Sequence, residues 1–397
     1  MNSFGTENGM THGSKFSMRR NWSQEFTDPI YWLRRFARVA YTGLRGVILG
    51  SLSRLLFFRY RQFDRVSVQK ILLIRLDRIG DMVLTTPILQ ALKTGFPRAE
   101  LAVLANDYNA SVIENNPYMD RLFIFRESKE IVQKLRQEGF DLIIDPLLSP
   151  ALDSAILTFR LRGKHRIGFE IAGRELFFNL HSSRKKGKKH LIEHHEDLLR
   201  AIGLSARGIS PKIYLTPDEL TSVDLTFREN GIDLDRLCVA IHPGGFYPSQ
   251  RWCPERFAAV ADELAKSYDA QILLFGGKGD KEALECIQSA MSSPVIVMPE
   301  LGLRGFMAAL NRCNLLLCNN SGPLHVASAL GVPTVSTMGP TIPHLWWPIG
   351  GIHTVLRKDL PCSPCQRGRC KWHDCMKLIT VEEITGAAKA QIEKRMN

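Results

Sequence analysis

No run of eighteen uncharged apolar residues occurs in the 397-residue sequence, so no segment reads as a membrane-spanning helix. The first thirty residues carry Glu7, Glu25 and Asp28 and have no apolar h-region, which excludes a secretory signal and leads us to expect a cytoplasmic chain. Cysteine is absent before residue 238, and four of the nine fall between Cys362 and Cys375; in a reducing compartment that spacing reads as metal binding or packing, not a disulfide scaffold. No G-x-G-x-x-G accompanies the first apolar run and no G-x-x-x-x-G-K-[ST] occurs, which weakens dinucleotide and P-loop readings. Acidic residues are also in deficit, 40 against 52 Lys and Arg, for a net charge of +12. Residues 1–68 hold eleven basic and four acidic residues, and Arg184, Lys185, Lys186, Lys188 and Lys189 add five positive charges, so the remainder is close to neutral. A nucleic-acid enzyme spreads basic residues over its folded body. Confinement to one terminus and one loop argues against nucleic acid and for an anionic membrane surface.

The composition that is present, 45% hydrophobic and 23% charged, is that of a globular chain long enough for two or three domains. Residues 1–24 are polar and mixed and are expected to be disordered. From Ile30 to Arg61 apolar residues including Trp32, Phe36, Val39, Leu44, Ile48, Leu52 and Leu55 recur at helical spacing, and every charge is an arginine. This predicts a basic amphipathic helix, with breaks near Gly46 or Gly50, suited to interfacial binding without a span. A helix covering the protein's own surface is the alternative.

The globular body begins at Lys70. Short apolar runs at Ile71–Leu76, Leu101–Leu104, Arg121–Phe125 and Leu142–Asp145 alternate with helical patterns after Gly80, at Asn109–Asn115 and at Lys129–Glu138. After a helix near Leu191–Ile202 the alternation resumes, with strands at Cys238–His242, Gln271–Phe275, Val295–Val297, Asn314–Cys318 and Thr334–Thr337. The intervening helices are predicted at Pro254–Ser267, Lys281–Ala290, Leu303–Arg312 and from the Asn319–Pro323 loop to Leu330. Two such βα series predict an α/β chain of two Rossmann-like doubly wound domains facing a cleft, at 70–215 and 216–397, behind an extension at 1–69. Ligands bind at the carboxyl ends of such strands, so the loops there are the places to look for chemistry.

Four loops stand out. Arg75-Leu76-Asp77-Arg78-Ile79-Gly80-Asp81 leaves the first strand; Asp81 either caps the next helix or, facing the cleft, takes a proton from a hydroxyl. Its cations Arg75 and Arg78 are assigned to the acceptor. His242-Pro243-Gly244-Gly245, followed by Gln250, Arg251 and Trp252, lets backbone amides approach phosphates, with Arg251 to neutralise them. Asn319-Asn320-Ser321-Gly322-Pro323-Leu324-His325 offers amide, hydroxyl and N–H donors without net charge. Cys362, Cys365, Cys370 and Cys375, with His373 among them, could close on a structural zinc or remain packed thiols.

From about Lys70 to Glu383 the sequence resembles the heptosyltransferase family of lipopolysaccharide synthesis, glycosyltransferase family 9. The resemblance rests on I-L-L-I-R-L-D-R-I-G-D-M-V-L-T-T-P, R-I-G-F at Arg166–Phe169, H-P-G-G with R-W soon after, F-G-G-K-G-D ending at Asp280, and N-N-S-G-P-L-H-V-A-S-A-L-G-V-P-T. It implies the GT-B fold and inverting transfer of heptose from ADP-heptose to a lipid-linked core saccharide, without a required metal, by an enzyme peripheral on the inner membrane. Asp81 then matches the catalytic base and Ser321, Gly322 and His325 the diphosphate loop, with Gly244, Gly245, Arg251, Asp280 and Asn320 completing the nucleotide-sugar site. Two positions depart from the family pattern: Gln250 stands where Lys is frequent, and Asn320 where Asp is frequent. A non-catalytic sugar-nucleotide-binding protein of the same fold and a transferase of another nucleotide sugar are the alternatives.

Overall fold

The computed structural model describes residues 29–57, 63–182 and 187–396. The polar segment at 1–24 and Arg184, Lys185 and Lys186 of the basic run lie outside them. Helix α1 (Pro29–Phe57) is continuous through Gly46 and Gly50. These glycines are where the helix meets the body: a Cβ on Gly46 would stand 3.2 Å from Ala172 Cα, and one on Gly50 2.7 Å from Glu175 Oε1. Ser53 Oγ donates to Glu175 O, and Arg45 donates to Ala172 O and Pro150 O. The predicted breaks are absent because the missing side chains permit close approach to the 172–175 turn. Phe36, Val39, Tyr41, Leu44, Val47, Ile48, Leu52 and Leu55 stay exposed, Phe36 at 74%. No helix among the described residues is long and apolar enough to cross a membrane.

The first sheet contains β1 (Lys70–Ile74), β2 (Glu100–Ala105), β3 (Arg121–Ile124), β4 (Leu142–Asp145), β5 (His165–Phe169) and β6 (Leu180–Ser182), in the order β3-β2-β1-β4-β5-β6. All pairs are parallel, with Leu72 opposite Ala102 on one side and Ile143 on the other. Helices α2 (Ile79–Gly95), α3 (Lys129–Gln137), α4 (Asp153–Arg160) and α5 (Leu191–Arg200) belong to this half. Both faces of the central strands are covered, which is why β1 and β4 read as unbroken apolar runs. The expected helix at Asn109–Asn115 is only a 3₁₀ turn, Ala110–Val112. Asn106 and Asn109 accept each other's backbone N–H through their side chains, which offers the chain a turn in place of a helix.

The second half follows with α6 (Pro217–Glu229), β7 (Cys238–His242), α7 (Pro254–Tyr268), β8 (Gln271–Leu274), α8 (Lys281–Ala290), β9 (Val295–Val297), α9 (Gly302–Arg312), β10 (Leu315–Asn319), α10 (Gly322–Leu330) and β11 (Thr334–Thr337). Helix α11 (Pro343–Trp346), β12 (His353–Leu356), α12 (Asp374–Lys377) and α13 (Val381–Met396) close it. Its parallel order, β12-β11-β10-β7-β8-β9, mirrors the first sheet. In each sheet the order reverses beside the first strand of its series, β1/β4 and β7/β10, so both switch-point crevices open toward the same cleft. The halves are bound together by Arg304 of α9, which is paired with Glu219 of its own half and donates across to Tyr214 O and Ser111 O, and by the contact of His190 Nε2 with Trp347 O.

Candidate active site

A cleft of about 820 Å³ lies between the sheets, lined on one wall by Arg78, Ile79, Gly80, Asp81 and Tyr108 and on the other by loops after β7, β8, β10 and β11. Its floor is the meeting of two helix starts. A Cβ on Gly80, in the first turn of α2, would be 2.8 Å from His325 Cδ2, and one on Gly322, at the start of α10, 3.3 Å from Ile79 Cβ. Glycine at both positions therefore lets the two N-termini converge. Their unsatisfied N–H groups and aligned dipoles give the cleft floor a positive potential in the absence of any metal.

Asp81 is in the first turn of α2, its side chain 13% exposed toward the cleft. Its Oδ1 accepts from Arg75 Nη2 at 3.0 Å, and no side-chain cap of the α2 N-terminus is formed. The capping alternative thus gives way to a cleft-facing carboxylate. Arg75 is 2% exposed and does not line the cleft: it is held by Asp77 Oδ1 at 2.9 Å, Asp81 and Pro146 O. This corrects its assignment to the acceptor, because a buried guanidinium held by three partners inside the protein positions carboxylates, and the cavity it borders is not the cleft. Arg78 does line the cleft, crossing it to lie 3.9 Å over the Phe246 ring and to donate to Tyr247 Oη.

On the opposite wall Gly245, Arg251, Asp280, Asn320, Ser321, Gly322 and His325 line the cleft. Gly244 sits behind it, where a Cβ would meet the Asp280 carboxylate at 2.6 Å. Arg251 Nε donates to Gly245 O and its Nη2 is 3.7 Å from Asp280 Oδ1, leaving a partly exposed guanidinium edge. Asp280 Oδ2 in turn accepts from Gly277 N. Ser321 is the residue before α10 and makes no side-chain cap; its hydroxyl donates to Asn319 O, which leaves its oxygen as an acceptor and the first amides of the helix for a ligand. His325 is buried, its Nδ1 has no hydrogen-bond partner among the described residues, and burial pushes its pKa down to about 3. It is therefore a neutral wall and a neutral donor or acceptor, not a cation for phosphate.

Asn319, which does not itself line the cleft, holds the site together from below: its Nδ2 donates to Pro243 O and Gly244 O, and its Oδ1 accepts from Trp252 N and Thr337 Oγ1. Several residues that do line the cleft were not predicted. Phe246, Tyr247, Glu300, Trp346, Gln366 and Arg367 also face the cleft. The last two come from the cysteine loop, which folds onto the rim through Ser249 Oγ donating to Arg367 O and through His373 Nε2 against Ser249 O. The C-Q-R-G-R run drew notice for its thiols, whereas its intervening Gln and Arg are what reach the site. Cys362, Cys365, Cys370 and Cys375 form no disulfide among the described residues, and no group of three or more His, Cys, Asp or Glu among those residues is placed to hold a metal ion. Cys375 is turned inward into the second core, where burial and the neighbouring thiols push its pKa up to about 12. The arrangement does not match the expected tetrahedral zinc.

Residues 129–375 match the model of glycosyltransferase family 9 (heptosyltransferase). The sequence is 24% identical over 322 residues to lipooligosaccharide heptosyltransferase 2 of Campylobacter jejuni, covering 78% of this chain and 94% of that protein. It is 25% identical over 298 residues to lipopolysaccharide heptosyltransferase 3 of Escherichia coli, covering 68% and 82%. The solved structure of E. coli ADP-heptose lps heptosyltransferase II superposes with a TM-score of 0.70 at 22% identity, over 83% of this chain and all of that one (100%).

Proposed function

Since the chain belongs to glycosyltransferase family 9 (heptosyltransferase) and has the GT-B fold of two facing α/β halves, we propose that this glycosyltransferase moves heptose from ADP-heptose to a lipid-linked saccharide of the lipopolysaccharide core. The observation that carries the reading is Asp81, a carboxylate facing the cleft directly beside two converging helix N-termini. The ADP diphosphate lies at the α10 terminus, held by Ser321 and neighbouring amides and by Arg251. The acceptor hydroxyl approaches from the Asp81 side. Its oxygen forms the new bond to the anomeric carbon, its proton passes to Asp81, and the bond to the β-phosphate oxygen breaks with ADP taking the electron pair. Charge developing on that oxygen meets preorganised donors, and no resident metal is needed to neutralise it.

The acceptor's lipid portion gives α1 its place. The helix is fixed to the body along Arg45, Gly46, Gly50 and Ser53 and turns Phe36, Val39, Leu44, Val47 and Leu55 outward. An outward apolar face in a segment whose only charges are arginines favours peripheral attachment to the anionic cytoplasmic face of the inner membrane. Mass spectrometry of products formed from ADP-heptose and deacylated core acceptors tests the reaction. Asp81→Asn is expected to keep ADP binding and lose roughly a hundredfold or more in kcat. Product formation at the wild-type rate in that variant overturns the assignment of the base. Failure of the full chain to bind anionic vesicles at low salt overturns the membrane contact.

A further inference from the structure

Three acidic and two basic side chains meet at the carboxyl ends of β1 and β4, and only one of them, Asp81, lines the cleft. Asp145, at the end of β4, is fully buried and paired with Arg174 at 2.6 Å, and its other oxygen accepts from Leu147 N. It forms no ion pair with Arg75 among the described residues. The Arg75 guanidinium is therefore divided between Asp81 and Asp77, and the two contacts differ in kind. Arg75 Nη2 makes a directed hydrogen bond to Asp81. Its Nε is 2.9 Å from Asp77 Oδ1, yet neither atom has a hydrogen-bond partner among the described residues. The Asp77 contact is thus charge without orientation.

Asp77 is held where it is by its backbone. Its carbonyl accepts from Asn106 Nδ2 and Asn109 Nδ2, so the residue cannot swing away from Arg75. Its side chain borders a second cavity, of about 630 Å³, away from the cleft. We propose that Asp77 is a positioning residue for the transfer reaction, setting the basicity of Asp81 by competing with it for the single guanidinium of Arg75. The proposal rests on Asp81 being the base, as given above. An ionised Asp77 draws part of the Arg75 charge away and adds its own negative potential, so Asp81 holds an incoming proton more strongly. A neutral Asp77 leaves Arg75 wholly to Asp81, which becomes a weaker base.

Other charges facing Asp77 are Arg75, Asp81 and Asp145 on its own sheet edge, Glu127 and Lys129 from the start of α3, and Asp153 and Arg160 from α4. Behind Arg75 lies His195, which burial keeps neutral. Burial raises the Asp77 carboxyl to about 7, against the pull of Arg75 and with the push of Asp81 and Asp145. Asp77 therefore changes charge in the range where a cytoplasmic transferase works.

The experiment measures pH profiles of kcat and KM for wild type, Asp77→Asn, Asp77→Glu and Asp81→Asn with ADP-heptose and a deacylated acceptor. Wild-type kcat is expected to rise through the region near pH 7 as Asp77 ionises. In D77N that rise disappears and plateau kcat falls roughly three- to tenfold, because a Brønsted dependence passes on to the rate only part of the base strength that Asp81 loses. Both KM values stay unchanged, and D77E, which keeps the charge, restores the rise. An unaltered kcat and profile in D77N, with D81N inactive, overturns the role of Asp77 while leaving the function intact. So does a D77N effect confined to acceptor KM, which would make Asp77 an acceptor contact. Should D77N fail to fold, a D77E profile without the rise near pH 7 overturns it equally. Absence of transfer by the wild type strikes the proposed function itself.

Discussion

Replacing Gly80 by alanine adds one methyl group at the point where the two halves of the enzyme touch. The added Cβ would lie 2.8 Å from His325 Cδ2, 3.6 Å from its Cγ and 3.7 Å from Gly322 Cα. His325 cannot swing aside, since it is buried and its ring stands against Trp346 at 6.2 Å between centroids. Overpacking of this kind costs about 1–3 kcal/mol. The clash lies between the halves, so the cost falls on the closed arrangement that brings Asp81 to the donor site. It should appear as a loss of roughly 5- to 150-fold in kcat/KM, at about 1.4 kcal/mol per factor of ten. Folding should be spared or slightly improved, because alanine favours the first turn of α2 by up to about 1 kcal/mol over glycine. The assay pairs steady-state transfer kinetics with a thermal melt and ADP calorimetry. The expected result is an unchanged or raised Tm, ADP affinity within about twofold of wild type, since the proposed diphosphate contacts, Ser321 and Arg251, belong to the second half, and a depressed kcat/KM that worsens in Gly80→Val. Wild-type kcat/KM in both variants would refute the reasoning: the helix starts would then not need to meet for transfer.

Arg251→Ala should weaken ADP binding by about 1.5–3 kcal/mol, the loss of a charge-assisted hydrogen bond, and calorimetry finding unchanged affinity rejects the phosphate role of the guanidinium. Arg174→Met strands the fully buried Asp145 carboxylate and should lower urea-measured stability by about 3–5 kcal/mol; a change below about 1 kcal/mol would mean that Asp145 is not left charged and unpaired. Acid should destabilise the fold through His325. Its folded pKa of about 3 lies below the ordinary 6.5, so the unfolded chain binds a proton that the folded chain lacks between those values, and stability is full above 6.5 and lost as pH falls. That one residue contributes up to about 1.4 kcal/mol per pH unit, and His325→Gln should flatten the stability-pH curve below pH 6.5 by that slope.

The order of elements was readable wherever the local pattern was strong. Leu142–Asp145, Cys238–His242, Lys281–Ala290, Val295–Val297 and Thr334–Thr337 coincide with their expected limits: the first, second and last are buried strands next to proline, Val295–Val297 is a β-branched run after proline, and Lys281–Ala290 follows a glycine loop with helical spacing. Strands β5, β6 and β12 and helices α4, α6 and α13 were not anticipated; the strands are short segments at or near sheet edges whose patterns are interrupted by polar residues such as His165, Arg166 and His353. Asn109–Asn115 misled because its spacing is helical while its Asn side chains satisfy the backbone locally.

For the site, residue type and loop position pointed to Arg251, Ser321 and Gly322, since phosphate chemistry at strand ends needs a cation and free amides there; they left Asp81 between a helix cap and a base, and the family resemblance made it the base. The sequence could not say what each charged group faces. Arg75 and Arg78 are three residues apart in one loop, yet the first is enclosed by Asp77 and Asp81 and the second spans the cleft to Phe246. His325 sits in a loop suited to phosphate, yet burial removes its charge. The cysteine loop brings Gln366 and Arg367 to the cleft rim by a contact with Ser249, more than a hundred residues earlier in the chain. Local propensity and periodicity are properties of neighbouring residues, and they determined the elements and the loops. Solvation and charge pairing depend on groups distant in the chain, so only tertiary packing decided which side chains are cations, which are neutral walls, and which carboxylate faces the cleft.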